Sequence, residues 1–217
     1  MRDWEPWQSR EYAESRLEMW GNPTDPPEKW NKHKYNRLRK LPKLIRGSTV
    51  LDVGCGLGHS YAVLRSHVTE YLGVDSAKAM IDICHRFFDE SLFTVGDAYD
   101  LSSFGVYDTV LAIQLLIHLP NLVPLKQLWR HARRCVVFTV WPPQEQKIRQ
   151  RTDGLIGHVY SKNDIINAIR ALDGVGGVEV YRDEDVKKDR MFWIMINKNG
   201  SMKINRSVFN KIGRITC

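Results

Sequence analysis

Val50-Leu51-Asp52-Val53-Gly54-Cys55-Gly56-Leu57-Gly58 is the stretch on which the fold of this chain turns. A short apolar run enters three glycines at alternate positions, and Tyr61, Leu64 and Val68 follow at the spacing of one helix face. The pattern reads as a buried strand, a tight turn and a helix. Glycine at such a turn lets the backbone come close to a ligand because no Cβ intervenes. The helix after it offers free N–H groups to a carboxylate or phosphate. The same glycines also suit a turn that merely joins strand to helix, so the motif alone assigns no ligand.

Outward from this stretch the pattern repeats. Tyr71-Leu72-Gly73-Val74 is a second strand ending at Asp75; Ser76 is placed to cap the next helix, with Met80, Ile83, Phe87 and Phe88 facing inward. Residues 92–95 form a third strand ending at Gly96-Asp97, and residues 107–113 a fourth. A helix capped by Asn121 is expected to run to about Ala132, and residues 136–140 form a fifth strand. Trp141-Pro142-Pro143 ends it, because neither proline can donate to a ladder. A long, mostly polar segment runs to Tyr160, where Ser161-Lys162-Asn163-Asp164 is a capping box. Two last strands, residues 177–182 and 190–197, are joined by a turn too short for a crossover helix and must pair antiparallel at one edge. Continuous apolar strands alternating with helices imply a sheet covered on both faces. The expected fold is α/β: a Rossmann-like, seven-stranded, mostly parallel sheet with an antiparallel last strand, in three αβα layers.

Residues 1–46 have a different character. Ser9 caps a helix that Gly21 stops, with Ala13, Leu17 and Trp20 at helical spacing. Asp25-Pro26-Pro27-Glu28 combines an N-cap, proline at the first turn and an acid three residues on, which predicts a second helix beginning there. Trp30, Leu38 and Leu41 would form its apolar side. Four of the seven tryptophans, Trp4, Trp7, Trp20 and Trp30, lie in this region, as expected of a cap packed onto something. The chain therefore divides into a helical cap or lid over residues 1–46, a core over 47–198, and a basic tail or extra edge strand over 199–217.

The net charge of +7 is confined to the flanks: residues 1–46 carry 11 Lys/Arg against 7 Asp/Glu, residues 47–198 carry 17 against 18, and residues 199–217 carry 4 against none. Residues 29–46 hold eight Lys/Arg and no acid. That stretch is either a solvated helix face or a surface that steers an anionic substrate, nucleic acid or acidic partner. Cys55, Cys84, Cys135 and Cys217 form no CxxC pair, so neither a disulfide scaffold nor a metal site is expected, and the compartment reads as cytoplasmic. No apolar run reaches the ~18 residues of a membrane helix, and the N-terminus lacks the build of a signal peptide.

Ligands of open α/β sheets bind beyond the carboxyl ends of the strands. Asp75 and Asp97 end the second and third strands there, suited to accept from ribose hydroxyls and from an adenine amino group. A dinucleotide fingerprint would carry its third glycine at position 59, which is His59, while Gly58 comes one residue early. The spacing argues against NAD and fits a ligand with no pyrophosphate.

The ordered set resembles the class I S-adenosylmethionine-dependent methyltransferases. Residues 52–58 are similar to their first motif, D/E-x-G-x-G-x-G; Gly73-Val74-Asp75-Ser76 with Met80 to the second-strand motif; Gly96-Asp97-Ala98 to the adenine-binding turn. Tyr107-Asp108-Thr109-Val110 through Leu116-Ile117-His118-Leu119-Pro120-Asn121 resembles the fourth-strand signature of the ubiquinone-methyltransferase-like branch. The likeness spans residues 47–141. It implies S-adenosylmethionine as cofactor, with Asp52 supporting the glycine loop and the methionine end, and Gly54, Cys55, Gly56 and Gly58 lining it. It further implies Asp75 and Ser76 at the ribose, Met80, Asp97 and Ala98 at the adenine, and Ile113 and Gln114 beside the methionine moiety. Gln114 departs from the acid that the branch often carries.

His118 and His158 are the candidate bases; the alternatives are a structural histidine at the Pro120 turn and simple exposure. Tyr12, Trp20 and Tyr160 are candidates for an acceptor pocket closed by the cap and residues 142–160. A small-molecule acceptor is the leading expectation, from the Trp-rich cap. RNA is the alternative, from the basic flanks, although neither an Asn/Asp-Pro-Pro-Tyr motif nor a Lys-Asp-Lys-Glu set is present. A non-catalytic cofactor-binding subunit is a third reading. The oligomeric state is not legible.

Overall fold

The computed structural model describes residues 5–141, 147–150, 155–182 and 192–198. The strands are β1 (Thr49–Val53), β2 (Glu70–Asp75), β3 (Phe93–Val95), β4 (Tyr107–Ala112), β5 (Ala132–Val140), β6 (Lys147–Gln150), β7 (Ile156–Val159), β8 (Gly177–Arg182) and β9 (Phe192–Asn197). The α-helices are α1 (Arg10–Trp20), α2 (Lys32–Leu38), α3 (Leu41–Leu44), α4 (His59–Leu64), α5 (Lys78–Phe87), α6 (Pro124–His131) and α7 (Lys162–Arg170). One sheet has the order β3-β2-β1-β4-β5-β9-β8. Its first five strands run parallel, and β9 lies antiparallel between β5 and β8. This is the expected architecture.

Successive strand residues point to opposite faces, and the core divides accordingly. Leu51 and Val110 pack with Leu125, Leu128 and Trp129 of α6 and Ile165 and Ile169 of α7. Val50, Leu111 and Val137 pack with Leu38, Leu41, Leu44 and Leu64 from α2, α3 and α4, and with Ile81 of α5. Each such side chain contributes about 1.5–3 kcal/mol on burial. At the amino end of the sheet Asp108 accepts from the Ser48 amide and from Arg133, both at 3.0 Å, and so fixes β4 against β1 and β5.

Several local expectations are met. Ser9 Oγ accepts from the Tyr12 amide, and Gly21 ends α1. Ser161 Oγ accepts from the Asp164 amide while the Ser161 amide donates to Asp164, a closed capping box.

Others are corrected. The second N-terminal helix does not begin at Asp25. Residues 27–29 make one 3-10 turn, the Trp30 indole donates to the Asn22 carbonyl, and α2 starts after Asn31, whose side chain accepts from the His33 amide. Pro27 disfavours the helical region for the residue before it, and Pro26 stands extended at ψ 132°, so no helix can run from Asp25 through it. Ser76 does not cap α5: Asp75 accepts from the Ala77 amide instead, and the capping position is Ala77. Asn121 does not cap α6: it accepts from the Val123 amide, and α6 opens three residues later at Pro124 with Val123 at the capping position. The segment after β5 carries a hairpin, β6 paired with β7. Residues 142–146 and 151–154, the tail 199–217 and the start of the strand expected from 190 lie outside the described residues.

Candidate active site

The carboxyl ends of β1, β2, β3 and β4 open onto one cavity of about 380 Å³. The loop after β1 turns through Gly54 (φ 74°) and Gly56 (φ 55°), a region where side chains are strained. A Cβ on Gly56 would come into ordinary contact with Trp20 at 3.8 Å, so at this point the bare backbone is the wall. Asp75 holds this wall: one carboxylate oxygen accepts from the Gly56 amide and the other from the Ala77 amide, both at 2.9 Å. Burial raises its pKa, and the two amides oppose the shift. A carboxylate has about four acceptor positions; two remain for a ligand.

Asp97 is exposed and accepts from the Tyr99 amide, with Ala98 buried beside it. Met80 of α5 adds an apolar side chain to the lining. Beyond β4 the chain passes through Gln114 at φ 62°, the one non-glycine residue at positive φ among those described. Its amide donates to Thr139 Oγ1 at 2.7 Å. The Tyr160 hydroxyl donates to the carbonyls of Leu116 and Leu119 and so fastens the turn carrying His118.

Residues of the N-terminal segment also line this mouth. Trp7, Tyr12, Arg16 and Trp20 line the cavity with Lys34 of α2. Trp7 meets both Tyr12 and His118 edge-on at 4.8 Å. Ala13 packs with Leu57, Met80 and Ile83, so α1 rests on α5. His59, at the start of α4, reaches the Gly21 carbonyl through Nε2 at 3.0 Å. Burial lowers its pKa to about 3, so the ring is neutral at pH 7 and Nε2 donates.

Of the residues singled out from sequence, Gly54, Cys55, Gly56, Asp75, Ser76, Met80, Asp97, Ala98, Ile113, Gln114 and His118 line this cavity. Asp52 and Gly58 stand behind the wall. Asp52 accepts from the Tyr71 hydroxyl at 2.7 Å, and its pKa is pushed up to about 6 by burial, against the pull of the Tyr71 and Ser60 hydroxyls and Lys34. Gly58 caps α4 in the left-handed region, against Phe88 and Phe93. His158 lies elsewhere, buried in β7, and Tyr160 is structural. Tyr12 and Trp20 face the cavity as expected. Burial and the neighbouring Cys84 raise the Cys55 thiol well above its usual range, so it is wall and not nucleophile.

Lys34 and Arg16 were missed. The 29–46 stretch is not a uniformly solvated basic face: Arg37, Lys40 and Arg46 are buried and Lys34 is half-buried. Arg46 donates to the carbonyls of Lys43, Leu44 and Ile45, closing the end of α3. Charge runs read alike whether they face water or not; the signal that marks these residues is the apolar spacing of Leu38, Leu41 and Leu44 around them.

Residues 50–137 match a family described as a methyltransferase domain. The fold is that of the class I S-adenosylmethionine-dependent methyltransferases. A magnesium-protoporphyrin O-methyltransferase of Rhodobacter capsulatus is 32% identical over 113 residues, which are 48% of this chain and 50% of that relative. The matched region thus spans about half the length of that curated relative. Magnesium protoporphyrin IX methyltransferase from Synechocystis PCC 6803, solved with S-adenosylmethionine bound, superposes with a TM-score of 0.66 at 17% identity, over 91% of this chain and 95% of that one. An amino pentose methyltransferase of Micromonospora echinaspora, also with the cofactor bound, gives 0.59 at 13%, over 85% and 95%.

The cavity fits the cofactor of this methyltransferase fold. A bare glycine wall admits a close backbone contact, two carboxylates with spare acceptors lie at neighbouring strand ends, and Met80 and Ala98 add apolar lining. From Asp97 after β3 across to Gln114 after β4 the mouth spans three strand spacings, ~14 Å.

Proposed function

We propose that this chain is an enzyme that transfers a methyl group from S-adenosylmethionine to a small-molecule acceptor held under its N-terminal segment. One observation carries the reading: a single cavity is lined by the glycine loop, Asp75 and Asp97 together with Trp7, Tyr12, Trp20 and His118. A volume of about 380 Å³ lies in the range of small-molecule sites, roughly 300–1,000 Å³.

In this reading Gly54, Cys55 and Gly56 seat the amino-acid arm, Asp75 with Ser76 accepts from the ribose hydroxyls, and Asp97, Ala98 and Met80 hold the adenine. Asp52 and Gly58 act from behind by fixing the loop. Ile113 and Gln114 face the reacting sulfur. The cofactor supplies an activated methyl on a sulfonium that leaves as a neutral thioether, so no acid is required. The protein's task is alignment and exclusion of water, which can contribute on the order of 7–11 kcal/mol. His118 takes the acceptor's proton where the acceptor must lose one. His158 has no part, since it is buried in β7 outside the cavity. Residues 1–46 serve as the cap and 47–198 as the core. The fourth-strand signature favours the ubiquinone-methyltransferase-like branch. The free thiols Cys55, Cys84 and Cys135 suit a reducing, cytoplasmic setting. Among the described residues no helix is long and apolar enough to cross a membrane.

The inward turn of Lys34, Arg37, Lys40 and Arg46 favours a small acceptor over RNA, because it halves the charge the 29–46 stretch offers to phosphates. The relatives named above act on a magnesium protoporphyrin and an amino pentose, both small molecules. The test is calorimetry with S-adenosylhomocysteine, followed by transfer of labelled methyl into small-molecule extract and into tRNA and rRNA. Label in the small-molecule fraction is expected. Label in RNA alone would reverse the acceptor class, binding without transfer would make the chain a cofactor-binding subunit, and no binding would remove the function.

A further inference from the structure

Lys34 lines the cavity from α2, and no role given so far uses it. Its ammonium lies 4.1 Å from the centroid of the Trp20 ring, and Trp20 in turn stands over Gly56. The cation is thus held above the turn after β1, away from the Asp97 end. Its charge is felt by Asp52 in β1 and by Cys55 on that turn. Asp52 is 1% exposed and engaged by Tyr71, so it offers the cavity nothing. No carboxylate comes within 4.0 Å of Lys34 among the described residues. A half-buried ammonium on an aromatic face with no acid beside it is poorly compensated by the protein alone. The compensation can come from a ligand anion.

Strand order identifies the anion. A cofactor whose nucleoside lies between Asp75 and Asp97, over β2 and β3, must lay its amino-acid arm over β1 and β4. The acceptor wall lies elsewhere, where Trp7 links Tyr12 to His118. We propose that Lys34 seats the carboxylate of the cofactor's amino-acid arm, so that the cap, and not only the sheet, reads the cofactor. This rests on the cofactor reading given above. The cap then closes on the cofactor through a charge pair, and the acceptor space is completed only when the cofactor is in place.

The test is calorimetry on the full chain with two ligands: S-adenosylhomocysteine, and S-adenosyl-3-thiopropylamine, which keeps the amine and lacks the carboxylate. Wild type is expected to bind the first at least tenfold more tightly. Lys34→Met, which keeps an apolar stem on Trp20, is expected to erase that preference by weakening only the first ligand, and Lys34→Arg to restore most of it. Equal affinity of wild type for both ligands overturns the proposal. So does a Lys34→Met variant that weakens both alike or neither. Tight binding of S-adenosylhomocysteine indifferent to Lys34 overturns this proposal alone, whereas failure of wild type to bind either ligand overturns the cofactor reading with it.

Discussion

The Asp75 carboxylate holds the middle of the glycine loop: its Oδ2 accepts a hydrogen bond from the Gly56 amide at 2.9 Å, across 19 residues of sequence. The residue proposed to read the ribose is therefore also the one that shapes the loop beneath the cofactor. The two strand ends form one device, and loss of either part is felt by the other.

Asp75→Ala removes a charged acceptor from both ligand and loop. Hydrogen bonds to charged groups are worth about 1.5–3 kcal/mol each, so the affinity for S-adenosylhomocysteine is expected to fall by about a hundredfold. Calorimetry on protein with unchanged far-UV circular dichroism measures it. An unchanged affinity would remove Asp75 from the site.

Asp52 predicts a pH dependence of stability. Its pKa is about 6 in the folded chain against an ordinary 3.8. Between these values the folded state binds more protons than the unfolded one, so stability falls as pH rises from about 4 to 6 and the cost persists above. Asp52→Asn removes this cost. The variant is expected to gain on the order of 2 kcal/mol at pH 7.5 and almost nothing at pH 4, while binding S-adenosylhomocysteine more weakly because the loop support is altered. Urea unfolding at the two pH values decides it; a gain of equal size at both would exclude titration of Asp52 as the cause.

His118 and Trp7 should separate chemistry from acceptor binding. His118→Gln is expected to lower kcat roughly a hundredfold, within the range of general-base loss, with little change in the affinity for S-adenosylhomocysteine. Trp7→Ala opens the acceptor wall and is expected to raise the KM of the acceptor while sparing the same affinity. Steady-state kinetics with the acceptor in hand show whether the two effects part; a large fall in cofactor affinity in either variant would place that residue at the cofactor.

Tyr160→Phe takes the hydroxyl donor from the buried Leu119 carbonyl and leaves the Leu116 carbonyl with the Leu119 amide alone. A cost of about 1–3 kcal/mol is expected, read as a lower thermal midpoint. Activity should fall with it, since the same turn aims His118. A variant as stable as wild type would show that the turn is held by its own backbone.

Much of this molecule is written locally. The Ser9 cap, the Gly21 stop and the Ser161–Asp164 capping box depend on residues a few positions apart, and each acts as read; the glycine spacing and the acids at 75 and 97 pointed to residues that line the cavity. Continuous apolar strands alternating with helices were enough to set the parallel sheet, because burial on both faces leaves no alternation to interpret. Local signals failed where two competed: Pro27 forces Pro26 out of the helical region and displaces the start expected at Asp25, and the Asp75 turn onto the Ala77 amide moves the capping position one residue past Ser76.

What only the tertiary structure decided is which way equivalent side chains face. Lys34 lines a cavity and Lys32 meets water, though both lie in one basic run. Asp52 stands behind the wall and Asp75 in it, though both are acids beside a glycine loop. His118 enters the site and His158 is buried in a hairpin. The type of a residue and its neighbours in sequence set its conformation, but its surroundings come from the rotation of each helix and strand against elements far along the chain. That rotation is fixed by the packing of the whole core.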